Sequence, residues 1–481
     1  MHQQSRRQAL KYLAASGVGA SFVISGTKSS GQVIGANDRV RVAVAGINGR
    51  GQVHMRVYGG LKNVEIAYLI DPDSRLFASR RAAVKQQTGF TPKCVQDVRE
   101  ALEDRSLDAV SIAAPNHWHA LMTIWSCQAG KDVYVEKPCS HNIVEGQRMV
   151  AAAQRYDRIV QHGTQWRSDP KWRDYTADIR SGKYGKLQTA NIQIFRPRKS
   201  IGIRASTAPP RELDYDLWVG PAPMNPYRTN LVHYQWHWIW DYGNGELGNL
   251  GSHEFEMVRW ALPEGAAPQS VVSIGGRFGY DDQGQTPNSQ LTAFDFGETK
   301  LVCQQRGLDY DSPIRMAIGF QTDAGLVQGG KFYPRGKQTG ESIANAPADG
   351  LPENNGVRHF QNFIDCVRSR KKEDLASDVL DGHQTAVLAH LGNTSYRLGQ
   401  EVPFAKSPEG LADNQLAAES WEAMQRHLVT LGDVDLSRGR YRLGPTLRFD
   451  AATETFVDNA AANALRSRPD RARFELPEIP S

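Results

Sequence analysis

Val40-Arg41-Val42-Ala43-Val44-Ala45-Gly46-Ile47-Asn48-Gly49-Arg50-Gly51 decides the fold of this chain. A short, mostly apolar strand runs straight into a glycine-rich turn, and a helical pattern follows over 52–59. Against the spacing G-x-G-x-x-G, Gly46 and Gly51 fill the first and third places. Asn48 stands at the middle one, with Gly49 and Arg50 beside it. The spacing serves a tight turn, a close backbone approach to a pyrophosphate, and a helix N-terminus aimed at that anion. Asp71 follows about twenty residues on, at the end of the next apolar strand, Val64–Ile70. A carboxylate there accepts from an adenosine ribose hydroxyl and repels a 2′-phosphate, which favours NAD over NADP.

Working outward, apolar strand patterns recur at 108–113, 133–135 and 159–160, separated by helical patterns at 75–88, 120–129 and 143–156. Strands alternating with helices imply βαβ units and a parallel sheet with right-handed crossovers. Ligands of such sheets sit outside the carboxyl ends of the strands. Two strand ends carry candidate chemistry. Pro115-Asn116-His117-Trp118-His119 offers Pro115, Asn116 and His119 beside the cofactor or substrate. Asp132-Val133-Tyr134-Val135-Glu136-Lys137-Pro138 delivers Lys137 at the mouth of a buried strand. A desolvated lysine there acts as acid or base, and Glu136 either orients it or caps the next segment.

The rhythm changes near residue 186. Strand-like runs at Leu187–Phe195, 271–278, 291–296, 299–304 and 315–321, with hairpin punctuation at Gly297-Glu298 and Asp323-Ala324-Gly325, predict a mainly antiparallel sheet. Amphipathic helices are expected over 357–368 and 381–398, the latter capped by Gly399, followed by a polar, Arg-rich tail over 405–481 with some helix near 416–427. Gly243–Gly251 leads into a helix bearing His253, with Glu256 on the same face three residues later. Eight aromatic residues fall between Tyr215 and Tyr242. They suit the C–H faces of a sugar ring or a self-packed loop. The expected domains are a signal segment over 1–36, a dinucleotide-binding domain over 37–160, an α+β domain over 161–404 and an extension over 405–481.

The bulk composition is that of an ordinary globular chain, with 40% hydrophobic and 23% charged residues among 481. Its net charge of +5 is local: Arg6, Arg7, Lys11 and Lys28 lie in the first thirty residues, which hold no acid. Removing those four from 57 basic residues leaves 53 against 52 acidic ones, so nothing points to nucleic acid or an anionic membrane surface. Arg6-Arg7 before a weakly apolar Ala/Gly/Ser-rich run is the pattern of a twin-arginine export signal, which implies a periplasmic or otherwise exported protein. No stretch is long and apolar enough to span a membrane. The cysteines, at 94, 127, 139, 303 and 366, have neither metal nor disulfide-framework spacing, and no metal site is expected.

With Gly46–Gly51, Asp71, Pro115-Asn116-His119, Glu136-Lys137-Pro138 and His253 in this order, the chain resembles the Gfo/Idh/MocA family of oxidoreductases over roughly residues 38–400. The segments 440–449 and 456–463 resemble the C-terminal extension of an exported bacterial branch. The resemblance implies a Rossmann domain joined to an open-faced sheet domain, a nicotinamide cofactor, and a sugar, sugar derivative or cyclitol as substrate. It makes Lys137 and His253 the catalytic pair and places Trp166, Arg167, Trp238 and Asn249 with them toward the substrate. It also departs from the family: an aspartate expected four residues before the histidine is Asn249, and one expected three after it is Glu256. Three activities follow from the resemblance: net oxidation of a sugar hydroxyl, NAD-dependent glycoside cleavage through transient oxidation, or cofactor binding without catalysis. A dimer or tetramer, formed through the uncovered face of the second sheet, is implied as well.

Overall fold

The computed structural model describes residues 39–308, 315–347, 356–406, 408–411 and 414–479. The signal segment lies outside the described residues. The first sheet is built from β1 (Val40–Ala45), β2 (Val64–Ile70), β3 (Lys93–Val95), β4 (Ala109–Ile112), β5 (Asp132–Glu136) and β6 (Val160–Gly163), in the order β3-β2-β1-β4-β5-β6. Every pairing in it is parallel. The strand order reverses beside β1, and the carboxyl ends of β1, β4 and β5 open onto one crevice there. β4 and β5 are buried along their whole length, as strands covered by helices on both faces must be.

The second sheet begins with β7 (Leu187–Phe195). It continues with β8 (Ser270–Gly276), β9 (Ser289–Asp295), β10 (Lys300–Arg306), β11 (Arg315–Thr322), β12 (Gly325–Gln328), β13 (Lys331–Pro334) and β14 (Glu341–Ser342). It is antiparallel apart from the β7–β10 pairing. One face of β7 and β11, carrying Ala190, Ile192, Ile194, Met316, Ile318 and Phe320, packs under the helix Gly251–Ala261. The helix Val379–Leu398 contributes Val379 and Ala386 to the core of the first sheet and Val387, Leu388 and Leu391 to that of the second. It thereby fixes the two layers against each other.

Two boundaries differ from the sequence reading. β6 runs three residues beyond 160. The helix Val357–Ser369, assigned to the second domain, packs Phe360 against His54 and Tyr58 of the helix after β1 and Phe360 and Phe363 against Tyr134 of β5, all in the first. Its apolar stripe was legible, but not which sheet it would cover.

The extension is structured throughout its described part. β15 (Gln400–Pro403), β16 (Arg440–Leu443) and β17 (Leu447–Asp450) continue the second sheet past β8. The helix Gln415–Thr430 lays Ala417, Trp421, Met424 and Leu428 on Val272, Ile274, Leu291 and Val302. Over β8–β10 the apolar sheet face that was expected to need a second subunit is therefore covered by the chain itself. Farther on, Phe474 is buried against the Trp118 ring at 5.6 Å, and Arg468 donates to the His117 carbonyl at 3.0 Å and pairs with Glu145 at 3.0 Å.

Trp421 stacks on Phe404 and lies 4.7 Å from the Tyr441 ring. Trp421→Ala is expected to cost about 3–5 kcal/mol, read as a lowered midpoint of thermal unfolding. Glu254 provides a second test. It is fully buried, and both its carboxyl oxygens lack a partner from another residue. Burial pushes its pKa up to about 8. Because this folded-state value lies above that of the unfolded chain, the stability it supports is complete in acid and is lost as pH rises toward 8. Glu254→Gln, nearly isosteric, should leave stability at pH 4 unchanged and raise it at pH 8 by on the order of 2–4 kcal/mol. Equal melting shifts at both pH values would contradict this.

Candidate active site

The site starts from the turn after β1. Gly46 has φ +81°, and a Cβ on it would sit 2.6 Å from the Ala113–Ala114 backbone at the end of β4. A Cβ on Gly51 would sit 1.9 Å from the Gly46 carbonyl oxygen, so the first turn of the helix Gly51–Gly60 can close on the strand only without a side chain. Around Gly49 the same position meets nothing within 4 Å, leaving open space above the turn. Asn48, Gly49 and Arg50 border a cleft of about 380 Å³, whose walls also hold Asp71, Pro115, Asn116, Lys137 and His253. The obligatory glycines, the open space and the helix N-terminus fit a dinucleotide pyrophosphate.

Asp71 closes the ribose end. Its carboxylate accepts from the Ile47 amide and from the Asp73 amide, each at 3.0 Å, which locks the turn to the end of β2. Burial raises its pKa to about 6 despite those two bonds. Over this end lies the aromatic segment. Asp73 bridges to Leu213, the Ser74 amide donates to the Glu212 carbonyl at 3.0 Å, and the Asp214 amide donates to the Pro72 carbonyl at 2.9 Å. His233 lies 2.8 Å from the Asp73 carboxylate. Trp218, Tyr234 and Trp236 border the cleft, while the segment also packs its own cluster around Leu231 and Tyr242. The aromatic run thus packs its own cluster and also presents three rings to the cleft.

Glu136 joins the turn to the lysine strand. Its buried carboxylate accepts from Arg50 Nε at 2.7 Å, His54 Nε2 at 3.1 Å and Gln165 Nε2 at 3.3 Å. Although burial opposes ionisation, the Arg50 charge and the His54 bond hold it well below the usual carboxylate range. His119 is wedged between the carbonyls of Pro138 and Ala114, at 2.7 and 2.9 Å, and so braces the turn that follows Lys137. Asn116 donates to Asn244 Oδ1 at 2.9 Å, tying the β4 end to the loop before His253.

Lys137 Nζ donates to the backbone carbonyl of Asn249 at 2.7 Å and to its side-chain Oδ1 at 2.8 Å. Burial lowers its pKa to about 8, against the opposing pull of Glu136 and Glu246. His253 lines the same wall, with its ring 5.5 Å from that of Trp166. Its Nδ1 is buried without a hydrogen-bond partner, and burial drops its pKa to about 3. The wall thus sets a lysine that titrates near pH 8 beside a histidine that stays neutral.

Other expected residues lie elsewhere. Arg167 does not reach the cleft: it pairs with Glu256 at 3.2 Å and with Asp381 at 2.5 Å, its guanidinium over the Trp260 ring. A carboxylate buried as deeply as Glu256 requires a cation, and Arg167 supplies it. For the same reason Glu256 is no partner of His253. Trp166 stacks on Trp172 behind His253 instead of lining the cleft. Trp238 borders a small side cavity beside Glu246 and Arg198. Sequence reasoning missed Gln165, Arg196, His233 and His237, which do line the cleft. Of these only Arg196 carried a signal, as the residue just past a recognised strand end. No group of acids, histidines and cysteines able to hold a metal ion occurs among the described residues.

The comparisons agree with this layout. The family model described as "Oxidoreductase family, NAD-binding Rossmann fold" matches residues 40–164, and the one described as "Oxidoreductase family, C-terminal alpha/beta domain" matches residues 201–431. The rhizopine catabolism protein MocA of Rhizobium meliloti is 26% identical over 46% of this chain and 57% of its own length. The myo-inositol 2-dehydrogenase of Thermotoga maritima is 28% identical over 47% of this chain and 55% of its own. The chain thus spans about half the length of the curated relatives it matches. The WlbA dehydrogenase of Bordetella pertussis, solved with NADH and UDP-GlcNAcA, shares the fold at TM-score 0.55 and 18% identity, over 75% of this chain and 97% of that one. With matched models over both domains and the glycine turn, lysine strand and His253 helix meeting in one cleft, the chain belongs to the Gfo/Idh/MocA family of oxidoreductases.

Proposed function

We propose that this chain is an exported, NAD-dependent oxidoreductase that oxidises a CH–OH group of a sugar, sugar derivative or cyclitol. The observation that carries the reading is Lys137: a half-buried amine with a pKa near 8, pinned by Asn249 at the mouth of a dinucleotide-shaped cleft. NAD bound in that cleft supplies the hydride acceptor. Gly46 and Gly51 let the turn approach its pyrophosphate, and Asp71 faces its ribose.

Lys137 Nζ takes the hydroxyl proton. At pH 7 about a tenth of such a group is neutral, and above pH 8 most of it is. Asn249 offers only oxygen acceptors to Nζ, so it aims the amine and does not compete for the proton. His253, with a pKa near 3, is a far weaker base and serves as a neutral hydrogen-bonding group. The difference supports Lys137 as the acid/base and His253 in an assisting role.

The twin-arginine start supports export of a folded, cofactor-loaded protein. The segment joined to the ribose end at Asp73 and Leu213 supports slow cofactor release. A homo-oligomer completes the reading, its contact falling on the part of the second sheet that the extension leaves open, and light scattering tests it.

Lys137→Met should lower kcat by about 10²–10⁴-fold and should also abolish the rise in oxidation rate with pH, whose limb in the unaltered chain is expected near pH 8. Turnover unchanged in this variant would remove the assignment. In addition, acid-denatured protein purified from the exported fraction should release close to one NAD per chain, in both the unaltered chain and the variant. Release of NADP instead would overturn the role given to Asp71.

A further inference from the structure

The cleft holds a second cation that the redox chemistry above does not use. Ile194, near the end of β7, lies against the start of the helix that carries His253: its Cδ1 is 3.7 Å from the Cβ position of Gly251. Residues two apart on a strand share a face. Arg196 is therefore delivered to the same end of the cleft, and it lines the wall together with Lys137, Asn249 and His253. The Arg196 amide donates to the Arg306 carbonyl at 3.0 Å, which fixes where its side chain starts.

Its guanidinium, unlike its neighbours', has no ion pair or hydrogen bond among the described residues. Arg198, two positions on, is held by both oxygens of Glu246 at 2.7 and 2.8 Å. Arg50, the other arginine on the cleft wall, is held by Glu136 at 2.7 Å. The carboxylates of the wall do not balance Arg196 either. Asp71 and Asp97 stand at the ribose end, Asp97 paired with Arg99, and Glu136 is committed to Arg50 and His54. At position 249, where a carboxylate would face Lys137, the chain has a neutral amide. The substrate end thus presents two cationic side chains and no free anion.

We infer that the substrate is a sugar acid, its carboxylate gripped by Arg196 while Lys137 faces the hydroxyl to be oxidised. This rests on the redox reading above and names its substrate class. A neutral polyol would bury the guanidinium against the cofactor with its donors unmet, at a cost. A carboxylate satisfies the planar fork with two parallel bonds. A dianionic phosphate would need more donors than one guanidinium provides, because Lys137 is engaged at the reacting centre.

The test uses the full chain with its bound cofactor. Reduction of the nicotinamide is followed at 340 nm with matched sets: a uronate, the corresponding aldonate, the parent neutral sugar and the sugar phosphate. Binding of each to the loaded protein is measured by calorimetry. The acids are expected to exceed the neutral sugar roughly 10- to 100-fold in kcat/KM, the ratio that one charge-assisted contact supplies. Arg196→Gln should collapse that ratio toward one, mainly through KM, and Arg196→Lys should restore part of it. Asn249→Asp, which returns a carboxylate to this wall, should also weaken acid binding. Neutral sugars equal to the acids, or a ratio unmoved by Arg196→Gln, would overturn the inference and leave the redox reading standing. Preference for the phosphate would overturn the choice of carboxylate. No reduction by any compound, with NAD bound and the fold intact, would overturn both readings.

Discussion

The carboxylate of Glu136 is the constraint on which the rest of this site depends. It is buried at the end of β5, where an unpaired charge would be prohibitively costly. Its Oε1 accepts from Arg50 of the glycine turn, from His54 of the helix after that turn, and from Gln165 beyond β6. His54 passes the contact on to Ser111 of β4 at 2.8 Å. One anion thus sets the positions of three strand ends relative to one another and leaves the next residue, Lys137, facing the cleft. Arg50, so engaged, is a structural partner of Glu136 before it is a ligand for any phosphate.

The elements that sequence periodicity reached are those whose cause is local. β1 and β2 were legible because each is an apolar run that ends in a turn residue. Gly46 and Gly51 were legible because a missing Cβ is a chemical fact at fixed spacing, and the contacts at 2.6 and 1.9 Å explain why no other residue serves. Lys137 and His253 were legible by resemblance, and burial then explained their different proton affinities.

Features that depend on distant parts of the chain were not legible. Arg167 and Glu256 are 89 positions apart in sequence, and no spacing announces that they neutralise each other. Glu256 sits on a face that a helical wheel shares with His253, yet packing against Arg167 and Thr385 turns it away from the cleft. The extension read as a polar tail because β16 and β17 are only four residues each and gain their meaning from β8, far upstream. Some helix near 416–427 was legible, but only the fold reveals that its apolar residues cover β8–β10 and so remove that surface from those open to a second subunit.

Asn249 gives the departure from the family pattern a physical meaning. A carboxylate at that position would hold a proton on Lys137 by direct Coulomb attraction. The acid on that short helix is instead Glu246, three residues earlier, and Arg198 neutralises it through both oxygens. Lys137 still feels Glu136 and Glu246, but burial outweighs them and its pKa falls to about 8. The amide keeps the geometry an aspartate would give, one oxygen at 2.8 Å from Nζ, while withdrawing the charge. The amine therefore becomes a usable base close to neutral pH without an acidic partner. Arg196 lines the same cleft as this amide, so position 249 offers it no carboxylate either.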